Sequence, residues 1–566
     1  MLLNCGVGED SCLERLRNGH GWTDSQIAAI VKPLTERDWR FVESVWDYLD
    51  TFREEAFQLE EDVNGLKPER IEAQPFTITT ADGKSLNIKG GYFPIRYAND
   101  KENPVVIPEM KLNDAIVNGL GYASLQTKQG ALKQRGQVGK RTPLNLSFDV
   151  IADHAFNMIH DICYRRAVLD VAKVVQHKTF RDAFATTDGM HLYKLFLPWL
   201  QDCANEKVAM TPWIDPLAKW GRTATTMMMM GLKFSTMFTQ PVGLTQSAHV
   251  IGGWKNLLRG LRVWDPSKLR HYYREACARS AFMEARLMNY DRDVRDLLKK
   301  INSGVGIQRV LNTMRKTAFT PMGGFQMFCV DLPTWWAAYD KGIKDYAGDE
   351  QKAVAYADHI VRISQGSGAT KDLSAIQRGP EWKRLLTMFY SYFNTLYNVA
   401  ALHANWAKQH HSPAEIWLTF CAAMNLWFIP AIFSELAAGR GPDDDDDPYF
   451  WAVKQWCNYP LQSIVGLREV GNMLFNEYGY QYTPMEMAPK SIGNWVVAVK
   501  KSLQGTGTPE NLMKKSAQMG GYLLGLPMNQ IIINTENFYY WMRDEADFRV
   551  RDLFFAKRKN ERPRGQ

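Results

Sequence analysis

The spacing of apolar positions changes period within the first hundred residues. Thr35 precedes Glu36, Arg37 and Asp38, an N-cap residue followed by acids in a first helical turn. Trp39, Val42, Trp46, Leu49 and Phe52 then recur at helical spacing, which predicts a helix with one apolar face, ended by Gly65 and Pro68. From Phe76 the pattern becomes that of strands. Phe76-Thr-Ile-Thr-Thr and Ser85-Leu-Asn-Ile flank the turn dipeptide Asp82-Gly83, and Gly90-Gly91-Tyr92-Phe93-Pro94 closes the unit. A small β-hairpin is expected near residues 76–97.

Beyond residue 100 nearly all the periodicity is helical. Ser147 to about Gln176 predicts one long helix carrying Ile151, His154, Ile159, Ile162 and Val168. Lys255–Arg262, Ser267–Asn289, Asp291–Ile301, Ala353–Gln365 and Trp382–His410 predict further amphipathic helices, cut by Gly and Pro clusters such as Gln365-Gly-Ser-Gly368. No fixed-period repeat occurs, which argues against a solenoid. The expected fold is mainly α, an extended multi-helix assembly with the hairpin as its β element. Five segments follow: 1–110 with helix and hairpin, 111–230 helical with a basic loop, 231–410 a helical core, 411–480 an apolar helical hairpin, and 481–566 helical with a basic tail.

Two stretches depart from the amphipathic pattern. Met227-Met-Met-Met230 opens a weakly charged run to Gly253, which reads as a buried helical hairpin broken at Pro241, since methionine fills irregular cores. Ile416 to Phe433 is uncharged over 18 residues, the lower length for a membrane span. An acidic loop, Asp443 to Asp447, separates it from a second apolar run beginning at Tyr449, so two antiparallel helices are expected. The first run supports two readings, a core helix of a soluble bundle or a segment that enters a bilayer. On the second reading Trp417, Phe420, Leu426, Trp427, Phe428, Ile432 and Phe433 are the membrane-contact residues, with tryptophan favouring the interface and Asn425 and Pro430 tolerated within the span.

Composition narrows the function classes. With 45% apolar and 23% charged residues the chain is neither disordered nor low in complexity, and its mean hydropathy of −0.33 is too polar for a protein made mostly of membrane spans. A net charge of +7 over 566 residues is mild. Two basic stretches stand out: Lys128, Lys133, Arg135, Lys140 and Arg141, which could touch phosphates or form a solvated loop, and the tail after Ala556. The eight cysteines show no CxxC pairing and read as buried thiols in a chain made in a reducing compartment without a secretory signal.

Catalytic signatures are missing: no phosphate-binding loop, no H-E-x-x-H and no nucleophile elbow. His154, His160, Asp161 and Cys163 form the closest approach to a ligand cluster. Six residues of helix turn through about 600°, so the two imidazoles diverge and helix packing is the expected role. The adjacent His410 and His411 read as a helix-end cap. No cofactor, metal or catalytic residue is assigned.

Several strings in fixed order carry a resemblance. Gly21-Trp22-Thr23, Leu34-Thr-Glu-Arg-Asp-Trp39, Gly90-Gly-Tyr-Phe-Pro-Ile-Arg-Tyr97, Phe148-Asp-Val-Ile-Ala-Asp-His154, Thr239-Gln-Pro-Val-Gly-Leu-Thr-Gln246, Asp331-Leu-Pro-Thr-Trp335 and Met388-Phe-Tyr-Ser-Tyr-Phe-Asn394 together resemble the large internal virion proteins of tailed bacteriophages and the related large polyvalent proteins of prophages. The resemblance spans roughly residues 15 to 480. It implies a non-enzymatic structural protein, packaged in the capsid and ejected to help form a conduit for the genome across the host envelope. It also implies other virion proteins as partners, a homo-oligomer, and contact with phage DNA and the host inner membrane. Two rival classes are a lytic or nucleic-acid-processing enzyme without a recognisable motif, and a soluble helical scaffold of a mobile element.

Overall fold

The computed structural model describes residues 3, 9–68, 72–95, 143–187, 189–205, 215–289, 307–388, 390–409, 412–437, 441–442, 447–462 and 487–543. The chain is mainly α-helical and carries one two-stranded antiparallel hairpin among these residues. It divides into two compact units, Met1–Ala209 and Met210–Gln566, and this cut falls inside the segment 111–230.

In the first unit the predicted apolar face is the core. The helix Glu36–Asp50 buries Trp39, Val42, Val45, Trp46 and Leu49 against Ile88 and Phe93 beside the hairpin. Its start follows the sequence signal, because the Asp38 carboxylate accepts from the Thr35 amide (2.9 Å) and hydroxyl (2.7 Å). Those bonds hold the Asp38 carboxyl below its ordinary range. The strands Phe76–Thr79 and Ser85–Ile88 pair Phe76 with Ile88 and Thr79 with Ser85. Five residues connect them, and of Asp82-Gly83 only Gly83 takes a left-handed φ (75°), so the connection is not a two-residue turn. Gly91 lies flush on Trp46: a Cβ there would sit 2.4 Å from the Trp46 Cβ.

The long helix is observed as Asp149–Gln176, and it packs Val168, Ala172 and Val175 on Leu197, Leu200 and Ala204 of the helix Met190–Asn205. Arg165, buried in it, pairs with Glu60 of the helix Arg53–Asn64. His154 lies against the Tyr92 ring, while His160 stacks on Tyr164 at 4.6 Å. The two imidazoles are therefore parts of separate packing contacts.

The second unit is built around the helix Leu332–Asp345, whose residues Leu332 to Ala338 are all buried. The chain reverses at Ala347 and Gly348, both with positive φ, so that Glu350–Ser364 packs back on it. Close approach requires glycine at one crossing. A Cβ at Gly260 of the helix Trp254–Gly260 would lie 2.0 Å from the Pro333 carbonyl oxygen. The run Met227–Gly253 is observed as the end of Asp215–Met230, then Phe234–Thr239, a 3-10 turn holding Pro241, and Gly243–Ile251, with Gly243 to Ala248 fully buried. Met227, Met228 and Val242 to Ala248 are core, as the methionine-rich pattern suggested, whereas Met229, Met230 and most of 232–241 are only half-buried.

Two expected helices are broken. Ser267–Asn289 divides into Leu269–Arg279 and Ala281–Asn289, because Ser280 leaves helical geometry to cap the second piece. Its Oγ accepts from the Met283 amide (3.1 Å) and donates to Asp358 (2.7 Å). Trp382–His410 divides into Glu381–Leu386 and Ser391–Ala407, the backbone leaving helical geometry at Thr387 (φ −102°, ψ 23°). The expectation of buried thiols is corrected as well. Cys203 is buried, but Cys163, Cys421 and Cys457 are exposed free thiols on outward helix faces. Asp291–Ile301, His410, His411 and Asp443 to Asp446 lie outside the described residues.

A polar network threads this core. Gln365 donates to the Gly243 carbonyl (2.9 Å) and the Ser247 hydroxyl (2.8 Å), and Thr334 donates to Ser247 (2.7 Å). Gln326 links to Asp331 (3.0 Å), which Arg286 holds through Nε at 2.9 Å with neither side chain open to solvent. Such a network specifies one helix register, since a shift would strand several more buried polar groups, and Arg286 Nη1 is already buried without a partner.

Candidate functional site

The predicted apolar run forms one helix whose local chemistry explains each of its features. Ser412 starts it: the Glu415 carboxylate accepts from the Ser412 amide (2.9 Å), the Ser412 hydroxyl accepts from the Glu415 amide (3.4 Å), and Pro413 occupies the first turn, where no intrahelical donor is needed. The helix runs Pro413–Ala423, widens into a π turn at Met424–Phe428 and continues as Ile429–Ala437. Its 24 residues from Pro413 to Leu436 include an 18-residue window of mean hydropathy 1.8, of which only 28% is buried. At 1.5 Å per residue the helix is about 36 Å long, enough to cross a hydrocarbon layer of about 30 Å.

The π turn has a physical cause. A proline ring collides with the carbonyl four residues earlier, and Pro430 would meet Leu426 in a regular helix. Widening the preceding turn moves that carbonyl aside. The same arrangement occurs where the π turn Met327–Asp331 precedes Pro333 by the same two residues. Each widened turn also carries a polar side chain that ties the helix inward. Asp331 takes Arg286 in one, and Asn425 serves the other, donating to the Thr245 carbonyl (2.5 Å) and accepting from Trp254 Nε1 (2.9 Å).

The named contact residues divide between two faces. Leu426 is buried with Leu396, Val399, Ala431 and Tyr459. Trp427, Phe428 and Ile432 are half-buried. Trp417 is 64% exposed, and Phe420 and Phe433 are exposed with Ile416, Leu418, Ile429 and Leu436. The first three turns stand almost free of the body, since every residue from Ile416 to Cys421 except Thr419 is exposed. The second apolar helix, Pro448–Gln462, folds back on the first: Trp456 meets Phe428 edge-on at 6.0 Å, and Tyr459 joins Tyr392 hydroxyl to hydroxyl at 2.9 Å. Burial pushes both phenols above their ordinary range. This helix leaves Tyr449, Phe450 and Val453 exposed. The basic residues Lys128, Lys133, Arg135, Lys140 and Arg141 lie outside the described residues.

A second feature was not visible as a motif. A cavity of about 680 Å³ opens between the helices Gly243–Ile251, Glu350–Ser364 and Ser391–Ala407 and the turn at Thr370–Asp372. His249 and His403 meet across it edge to face, ring centroids 5.0 Å apart. Burial, aided by the facing His403, pushes His249 down to about 4, so it is neutral at physiological pH. Arg362 lays its guanidinium over Phe282 at 5.0 Å, and its Nε is buried without a hydrogen-bond partner, as is His403 Nε2. Positions 249, 362 and 403 are too far apart in sequence for any spacing rule to join them. Among the described residues, no three His, Cys, Asp or Glu side chains converge to hold a metal ion. Comparison with protein-family models, with curated proteins and with solved structures gives no match.

Proposed function

We propose that this chain is a structural, bilayer-engaging protein of the phage internal virion (ejection) class, carried in the capsid and acting at the host envelope to help conduct the genome. The observation that carries the reading is the helix Pro413–Leu436, uncharged between Glu415 and Glu435 and left largely uncovered. Leaving Ile416, Trp417, Leu418 and Phe420 in water forfeits roughly 25 cal/mol for each Å² of apolar surface. An uncovered apolar surface of this kind marks a place where a partner or a lipid phase belongs. A bilayer fits better than a protein groove because the segment is long enough to cross and apolar around most of its circumference. The ordered strings that resemble internal virion proteins suggest the biological setting, and with it other virion proteins, further copies of this chain and DNA as partners.

Flotation tests the reading. The purified chain, mixed with phosphatidylethanolamine–phosphatidylglycerol vesicles, is expected to rise with them in a density gradient. The triple change Trp417→Glu, Phe420→Glu, Phe433→Glu is expected to leave it at the bottom while its helical circular dichroism is unchanged. An intact chain that stays at the bottom overturns the membrane role. A virion proteome lacking the chain overturns the packaging role.

A further inference from the structure

We infer that the helix Pro413–Leu436 lies along the headgroup layer of an anionic leaflet instead of crossing it, with Lys255 and Arg259 against the lipid phosphates; this rests on the bilayer reading above. The helix Trp254–Gly260 shows solvent two adjacent rows. Trp254 and Leu258 form an apolar row, and Lys255 and Arg259 a cationic one, each pair one turn apart. No Asp or Glu occurs from Trp254 to Trp264 or from Ile416 to Ser434. Arg262 spends its charge on Asp340, whereas no carboxylate pairs with Lys255 or Arg259 among the described residues. The row therefore suits an anionic partner.

The contact between the two helices fixes the depth. Trp254 meets the long helix at Asn425, in the middle of its 24 residues. Trp254 is itself exposed, so the cationic row continues the edge of the apolar helix. In a crossing helix Asn425 would sit at the midplane with Lys255 beside it. A four-carbon stem does not span the roughly 15 Å from midplane to headgroup, and a charge left in hydrocarbon is costly. Lipid also cannot surround the helix, because Ala422, Leu426 and Ala431 are buried and Asn425 is bonded to Thr245. Laid flat, the same fold meets neither obstacle. Trp417, Phe420 and Phe433 enter the leaflet, Trp254 sits at its boundary, and the two cations reach the phosphates. A bare nucleic-acid surface fits less well, since this row borders an uncharged apolar helix.

Two measurements on the full chain test this. Flotation compares vesicles of phosphatidylcholine alone with vesicles of phosphatidylcholine and phosphatidylglycerol. The double variant Lys255→Gln, Arg259→Gln alters exposed side chains, so the fold is retained. It is expected to weaken binding to the mixed vesicles about tenfold at low salt and to leave binding to phosphatidylcholine unchanged. Spin labels then read depth at four exposed positions, Ala414→Cys, the native Cys421, Ile429→Cys and Leu436→Cys, one at a time with the other exposed cysteines changed to serine. Similar, shallow depths are expected. Cys421 and Ile429 lying about 10 Å deeper than the two ends is the profile of a crossing helix and overturns the proposal. A double variant that binds the mixed vesicles like the intact chain also overturns it, as does one that loses only affinity for duplex DNA. An intact chain that floats with neither vesicle overturns the bilayer reading itself, which keeps the two failures apart.

Discussion

Trp254 donates its indole N–H to the Asn425 carboxamide oxygen at 2.9 Å, so the one carboxamide in the apolar run faces inward. The same side chain donates to the Thr245 carbonyl at 2.5 Å. The one polar side chain of this kind in the run is thereby the tether that fixes the helix to its neighbours in the second unit. Asn425→Leu removes both bonds. At roughly 1 kcal/mol each, the expected loss is about 2 kcal/mol, read as a lower urea midpoint by tryptophan fluorescence. Flotation with vesicles is expected to persist, because the outward face is untouched.

The Arg286–Asp331 pair sits where neither side chain reaches water. Asp331→Asn leaves the guanidinium buried without its counter-charge and is expected to cost about 3–5 kcal/mol. Replacing both partners, Arg286→Met with Asp331→Leu, is expected to cost less than the single change, since no isolated charge remains. Thermal melts of the two variants check the order.

Two glycines are set by contact with a neighbour. Gly260→Ala pushes a methyl against the Pro333 carbonyl, and Gly91→Ala pushes one into Trp46. Each is expected to destabilise by about 1–3 kcal/mol. Gly324→Ala meets open space and is expected to be far milder. The three melts, measured side by side, decide the matter.

Exposed thiols give a reporter for the apolar helix. Cys163, Cys421 and Cys457 are expected to react with maleimide in the native chain, and Cys203 only after unfolding. Adding vesicles is expected to protect Cys421, within the apolar helix, and to leave Cys163 reactive. Mass spectrometry of single-cysteine variants reads this out. Equal labelling of Cys421 with and without vesicles would count against insertion.

His249 links the cavity to pH. Its folded value, about 4, lies below the ordinary 6.5, so the unfolded chain binds a proton that the folded chain refuses. Its contribution to stability is complete above 6.5 and is lost as pH falls toward 4. The facing groups are His403, His359, Arg362, Lys371 and Asp372. His249 is partly open to solvent, so the loss is on the order of 2 kcal/mol. His249→Gln is expected to flatten the change in unfolding midpoint between pH 7 and pH 4.5.

Much of the architecture is legible in residue order because it depends on near neighbours. Thr35 and Asp38 start their helix through a local bond, Trp39 to Leu49 share one face, and the hairpin strands fall where the alternation puts them. Ser280 and Thr387 show where local pattern fails. Both lie inside helical periodicity: Ser280 breaks it by turning its hydroxyl to the Met283 amide and to Asp358 far along the chain, and at Thr387 the backbone leaves helical geometry. Cys421 and Cys457 failed for another reason: thiols follow the face they occupy, and an apolar face was here left uncovered.

Residue order alone makes the chain helical, places a hairpin over Phe76–Ile88 and sets an uncharged apolar run from Ile416, because period and composition act over a few residues. Tertiary structure alone decided which side of that run is open, for Asn425 and Leu426 turn inward only once Thr245, Trp254 and Leu396 are in place. It alone assembled His249, Arg362 and His403 around one cavity. Contacts between residues a hundred or more positions apart leave no trace in local spacing, so only the packing of the helices could bring them together.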